Sequence, residues 1–270
     1  MKHDPHASGS DTESDSDVQP DRHDLVDSRR RSSRDDSPPP VSAEEVFGER
    51  LGLAIHYRDL LSSDGITRGL IGPREVPRLW ERHIVNCAVI GETIDDGQSV
   101  IDIGSGAGLP GIPLALARPD LRITLIEPLL RRTTFLEEVV SLLGLDVTVI
   151  RGRAEEKSVL DQVDLADVVT SRALAPLARL AKWSAPLIRV DGRLVVIKGS
   201  SAHEEIARDG DVVKRLGIDH LAVQECGTGL IDPPTTVVVG VRTSLARGVQ
   251  RSTKKRSDRH GRSGSRNTGR

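Results

Sequence analysis

Residues 99–113 read Ser-Val-Ile-Asp-Ile-Gly-Ser-Gly-Ala-Gly-Leu-Pro-Gly-Ile-Pro, an apolar run that passes straight into a glycine-rich turn. Gly104, Gly106 and Gly108 let a backbone turn tightly and approach a ligand where a Cβ would clash, and the helix amides that follow would face that ligand. The turn therefore reads as a nucleotide-binding loop. Gly106-Ala-Gly-Leu-Pro-Gly111 satisfies the dinucleotide spacing G-x-G-x-x-G, and Glu127 lies about 20 residues on, where an acid holds an adenosine ribose. On the glycines alone, NAD is a candidate. Asp102 changes the balance, because it completes the pattern D-x-G-x-G-x-G. A carboxylate at the strand end repels a pyrophosphate, whereas S-adenosyl-L-methionine carries no phosphate and brings an ammonium and a sulfonium.

Other side chains have types suited to the same site. Glu127 can accept from both ribose hydroxyls, or it can cap the next helix. The turn Arg153-Ala154-Glu155 can present a backbone amide to an adenine, or Glu155 can be a solvated loop charge. Arg172, between Ser171 and Ala173 at the exit of a strand, has a fork that can orient a guanine O6, a phosphate or a cofactor carboxylate. Lys198 is a second cation at the end of another strand. His83 falls on an apolar helical stripe, so a satisfied core histidine is its first reading and a pocket-lining role its second. Cys87 and Cys226, the two cysteines, show no metal-ligand spacing, so neither a disulfide framework nor a metal site is expected.

These residues need a scaffold, and the hydrophobic pattern supplies one. Ser42-Ala-Glu-Glu45 matches a capping box, and Val46, Phe47, Leu51, Ala54, Tyr57 and Leu61 predict a helix to about Leu61. Val76, Leu79, Trp80, His83, Ile84, Cys87, Ala88 and Gly91 predict a second helix, with Arg74, Arg78 and Arg82 on its solvent side. Apolar runs at 100–103, 123–126, 147–150, 167–169, 192–197, 221–225 and 236–241 then alternate with helical segments at 114–118, 131–143, 176–185 and 202–216. Strands alternating with helices imply an α/β fold, a parallel sheet with helices on both faces and ligands at the carboxyl ends of the strands. Every candidate residue after Asp102 lies at such an end.

Charge divides the chain further. Residues 1–45 hold twelve acidic and six basic residues with few apolar ones, and are expected to be disordered. From Arg247 to Arg270 nine Lys or Arg stand against one acid, which reads as a flexible basic arm. The intervening 46–246 carry 23 basic and 27 acidic residues, so the net charge of −2 hides a basic tail on an acidic body. No apolar run approaches the roughly 18 residues of a membrane span, and a cytoplasmic protein is expected.

The register Asp102-Ile-Gly-Ser-Gly-Ala-Gly-Leu-Pro-Gly-Ile-Pro113, with Arg82-His-Ile, Arg153-Ala-Glu-Glu156, Ser171-Arg-Ala173 and Lys198-Gly199, resembles the class I methyltransferases. Within them it is similar to the bacterial 16S ribosomal RNA guanine-N7 methyltransferase family, over roughly residues 46–242. The resemblance implies a Rossmann-like, mostly parallel seven-stranded sheet with a small N-terminal helical subdomain. Its helical subdomain (42–96) and S-adenosylmethionine-dependent methyltransferase domain (97–246) are expected to be flanked by an acidic extension (1–41) and a basic tail (247–270) that lie outside the resemblance. Its cofactor contacts fall on Gly104, Leu109, Ala154, Glu155 and Arg172. Its substrate is 16S ribosomal RNA in the small subunit, acted on by a monomer. A small-molecule methyltransferase and a non-catalytic nucleotide-binding module stay open as alternatives from the residues themselves. With only Trp80, Trp183, Tyr57, Phe47 and Phe135 as aromatic side chains, no stacking platform for bases is evident. Recognition of RNA then depends on its folded shape and on local cations. If the basic tail anchors RNA, deleting 247–270 should weaken binding of small-subunit RNA and flatten its salt dependence; an unchanged salt slope would exclude the anchor.

Overall fold

The computed structural model describes residues 38–244. The first 37 residues and the basic tail at 247–270 lie outside the described residues. The described chain is helical up to Thr93. Helix α1 spans Val41–Phe47, a 3-10 turn covers Gly48–Arg50, α2 spans Leu51–Leu60, and a π turn covers Leu61–Gly65. The capping box at Ser42 does not form. Pro40 occupies the N-cap in an extended conformation with no side-chain cap, so the helix opens two residues early and Ser42 falls inside its first turn. The uninterrupted helix expected to Leu61 is broken at Gly48, whose φ of 49° ends α1.

The second predicted helix keeps its buried stripe with irregular winding. A 3-10 segment at Pro73–Arg78 leads into a π segment at Leu79–Ile84, then α3 at Val85–Ala88 and a 3-10 turn at Val89–Thr93. Pro77 has no N–H to give, which accounts for the departure from α-helical bonding at its start. Leu79, Trp80, Ile84, Cys87 and Ala88 are buried, while Arg74, Arg78 and Arg82 face solvent as the periodicity requires.

The remaining elements alternate. They are β1 (Ser99–Ile103), α4 (Gly111–Ala117), β2 (Arg122–Glu127), α5 (Leu130–Leu143), β3 (Val147–Arg151) and α6 (Lys157–Leu160). Then follow β4 (Ala166–Arg172), α7 (Leu177–Ser184), β5 (Ile188–Ile197), α8 (Ala202–Arg215), β6 (Ile218–Cys226) and β7 (Thr235–Arg242). They build one seven-stranded sheet in the order β3-β2-β1-β4-β5-β7-β6. The first five strands are parallel, and β7 runs antiparallel to both β5 and β6.

The period-two alternation of each strand divides the core. Val100, Ile123, Leu125, Val168 and Val195 face one layer, with α4, α5 and the N-terminal helices. Ile101, Ile103, Ile126, Val169, Leu194 and Val196 face the other, with α6, α7 and α8. The N-terminal helices thus share a core with the sheet, and one polar bond carries them to the glycine turn: the Tyr57 hydroxyl donates to the Ala107 carbonyl at 2.9 Å. Tyr57 is fully buried. Tyr57→Phe leaves that carbonyl without its partner, and should lower unfolding free energy by about 1–3 kcal/mol in urea titration.

Candidate active site

Strand order reverses at β1, with β2 on one side and β4 on the other, which opens a crevice at the carboxyl ends of these parallel strands. The glycine turn fills its floor. Gly108 has φ 102°, and a Cβ there would lie 2.6 Å from Ile112 and 3.1 Å from the Tyr57 hydroxyl, so no other residue fits without displacing the packing. Gly104, with φ 69°, presents bare backbone to the opposite side, where a Cβ would meet the Leu174 side chain at 2.6 Å.

Two carboxyl groups pin this turn from beneath. Asp102 is fully buried, and its Oδ2 accepts from the Gly111 amide at 3.0 Å, tying the first residue of α4 back to β1. Its Oδ1 is buried without a partner, as are Thr170 Oγ1 and Ser171 Oγ on β4. Burial, opposed by the bonds from Gly111 and Ser105, raises the Asp102 carboxyl from its usual 3.8 to about 7. Glu127, at the end of β2, accepts from the Gly106 amide through Oε2 and from the Leu129 amide through Oε1, both at 3.0 Å. Arg132 Nη1 stands 3.6 Å from the same carboxylate.

Above the turn are two cavities. The smaller, of about 70 Å³, is bounded by Gly104 with Ile103, Ile126, Pro128, Ala154, Glu155, Leu174 and Trp183. The larger, of about 640 Å³, is lined by Arg82, Asn86, the segment Arg172–Pro176, Lys198 and Ser201, with Glu205 and Arg208 at one side. Leu174 borders both. Arg172 is half-buried, and its Nη1 donates to the Cys87 thiol at 3.4 Å. Burial pushes that thiol up to about 11, so a neutral sulfur accepts the bond. Lys198 Nζ donates to the Ala175 carbonyl and to Glu205 Oε2, each at 2.8 Å.

Of the residues expected from sequence to form the site, Gly104, Ala154 and Glu155 border the smaller cavity, and Arg172 and Lys198 the larger. Gly106 and Gly108 lie in the turn and Asp102 and Glu127 are buried against it, and these four border neither cavity. Leu109 packs its side chain on the core and gives its amide to Ser105 O at 2.9 Å, and it borders neither cavity. Asp102 turns its carboxyl under the loop, bonded to a backbone amide. His83 also lines neither cavity: its Nε2 lies 2.7 Å from Glu75 Oε2, and burial together with the Arg172 charge lowers its pKa. Sequence reasoning missed Leu174, Trp183 and Glu205. A leucine directly after Arg172-Ala173 was a usable signal for the first, whereas Trp183 and Glu205 arrive from elements distant in sequence.

A seven-stranded sheet of this order, with its antiparallel β7 and a D-x-G-x-G-x-G turn at the end of β1, defines a class I methyltransferase. The model of one family, rRNA small subunit methyltransferase G, matches residues 51–232. The Ribosomal RNA small subunit methyltransferase G of Rhodococcus jostii is 62% identical over 207 residues, covering 77% of this chain and 91% of its own length. The protein of the same name from Corynebacterium glutamicum is 60% identical over 200 residues, covering 74% of this chain and 90% of that one. A solved precorrin-6y C5,15-methyltransferase from Geobacter metallireducens aligns at TM-score 0.43 and 16% identity, over 64% of this chain and 91% of that one. This chain belongs to the rRNA small subunit methyltransferase G family.

Because Asp102 titrates higher in the folded state than in the unfolded chain, its contribution to stability is complete only below its usual 3.8 and is lost as pH rises through about 7. Asp102→Asn keeps an acceptor for the Gly111 amide without the ionisation. Between about pH 4 and pH 8 the variant should gain on the wild type by on the order of 2–4 kcal/mol, measured by denaturant unfolding at each pH.

Proposed function

We propose that this chain transfers a methyl group from S-adenosyl-L-methionine to N7 of a guanine in 16S ribosomal RNA. The observation that carries the reading is the pairing of an apolar slot at the glycine turn with a cation-lined cavity that offers no free base. Glu205 is the acid bordering the larger cavity, and its carboxylate is already engaged by Lys198 and by the Leu177 amide. Against the desolvation of burial, those bonds hold it below the usual carboxylate range. Guanine N7 suits such a site, because it carries an in-plane lone pair and no proton that must be removed. Methylation of an exocyclic amine or a hydroxyl would call for a base.

The cofactor fits the residues present. Gly104 offers backbone without a side chain, Ile103, Ile126, Pro128 and Trp183 provide apolar walls for a purine, and Glu127 has the two oxygens that a ribose diol needs. The orphaned oxygens of Asp102, Thr170 and Ser171 supply polar capacity at the strand ends. Bound there, S-adenosyl-L-methionine supplies an electrophilic methyl group on a sulfonium.

The protein's part is positioning. Lining up nucleophile and electrophile can contribute several kcal/mol, about 7–11 in well-oriented intramolecular cases. Arg172 has its remaining guanidinium donors toward the larger cavity's wall, where a guanine O6 or a phosphate would be recognised. The exposed Arg82 and Arg208 extend that charge along the rim toward an RNA backbone. The ring gains positive charge as N7 is methylated, so Arg172 must meet O6 or phosphate and not the ring face.

The test is incubation with radiolabelled S-adenosyl-L-methionine and small ribosomal subunits lacking the modification, followed by cleavage at N7-methylguanine. Label at one guanine is the expected result, and label absent or at another atom would overturn the reading. Arg172→Ala should lower kcat/KM by about 100-fold or more while the thermal midpoint holds, and Glu127→Ala should chiefly weaken cofactor binding in calorimetry.

A further inference from the structure

Helix α7 opens without a cap of its own. Its N-cap residue is Pro176, which has no side-chain acceptor, so the first amides must be satisfied from elsewhere. Helix α8 satisfies them. Glu205 Oε2 accepts from the Leu177 amide at 2.8 Å, and Asp209 Oδ2 accepts from the Ala178 amide at 3.1 Å. Their four-residue spacing puts both carboxylates on one face of α8, and the positive end of α7 favours them.

Lys198 extends this cap to the preceding loop. Its ammonium bonds Glu205 Oε2 and the Ala175 carbonyl, and the Lys198 and Glu205 side chains are only 10% and 13% exposed. Ser201 Oγ donates to the second oxygen of Glu205 at 3.3 Å, and Arg208 closes on Asp209 with two bonds of 2.9 Å. What this arrangement holds is the segment between Arg172 and α7. Ala173 sits at φ 50°, a left-handed conformation that costs a non-glycine residue about 1–3 kcal/mol and persists only where its surroundings impose it. The next residue, Leu174, lies against Gly104 and separates the two cavities.

We infer that Glu205 is a positioning residue for methyl transfer: paired with Lys198, it latches the 173–176 segment and so fixes Arg172 and Leu174 over the glycine turn. The inference rests on the reading of this crevice as the methyl-transfer site. Lys198 then acts through Glu205 and the Ala175 carbonyl, not by touching substrate.

A double-mutant cycle with E205Q and K198M in the full-length chain tests it. A glutamine oxygen at 205 can still accept from the Leu177 amide and from the ammonium but lacks the charge of the ion pair, whereas K198M removes the ammonium altogether. Each single variant should lower kcat on small subunits by about 10- to 100-fold with the Kd for S-adenosyl-L-methionine little changed, as expected for misplacement of catalytic groups. The double variant should be no worse than the poorer single one, because the two residues act as one unit. Amide hydrogen exchange supplies a readout that needs no activity: peptides covering 172–178 should exchange about tenfold faster in both variants, with the rest of the sheet unchanged. Wild-type exchange in E205Q, or losses in kcat that multiply in the double variant, would overturn the latch. Should E205Q fail to fold, D209N, which weakens the Ala178 cap and the exposed Arg208 pair but leaves Lys198 and Glu205 in place, must give the same localised exchange. If the wild-type chain proves unable to methylate small subunits, the functional reading falls, and the exchange measurement still decides whether the latch exists.

Discussion

The site depends on how the turn after β1 is held. A chain that leaves a buried strand through three glycines has little intrinsic preference for one path, and burying its amides would be costly without partners. Three side chains from three separate segments supply them. Asp102 takes the Gly111 amide, Glu127 takes the Gly106 amide, and Tyr57 gives its hydroxyl to the Ala107 carbonyl. The glycines make the turn possible, and these bonds make it unique. The Asp102 carboxyl reflects the cost, since burial outweighs the bonds it accepts and raises it to about 7.

The same economy of partners orders the cations above the turn. Lys198 is engaged by a carbonyl and a carboxylate, and Arg208 is bound to Asp209. Arg172 differs in having a neutral thiol as its side-chain partner, which leaves its charge uncompensated by that contact. A guanidinium in that state is suited to a neutral base edge or an anionic backbone, and the chemistry assigned to the crevice asks for recognition and alignment, with no proton to move. The Glu205 carboxylate beside the loop after Arg172 is engaged by the Leu177 amide and by Lys198.

The sheet and its order of elements were legible because each strand alternates or runs apolar over a length that only a two-sided sheet can bury. The strand ends were legible for a related reason: Glu127 and Lys198 are charged residues that directly follow apolar runs, Asp102 interrupts one just before the first glycine, and Arg172 stands three residues after another. Irregular helices were less so. The prolines before Val41 move the helix start by two residues and Pro77 converts the winding to 3-10, and a helical wheel does not register those effects.

What the sequence determined by itself was therefore the fold, the glycine turn and which strand ends carry charge, since all three follow from local periodicity and from residues adjacent along the chain. The direction in which each charge points was decided by the tertiary structure alone. Asp102 turned beneath its loop because the Gly111 amide had no other acceptor, His83 turned to Glu75, and Lys198 turned to a carboxylate seven residues on that also caps α7. Partnerships of buried polar groups are fixed by which unsatisfied donor or acceptor lies nearest once the layers have packed, and that distance is a property of the folded chain.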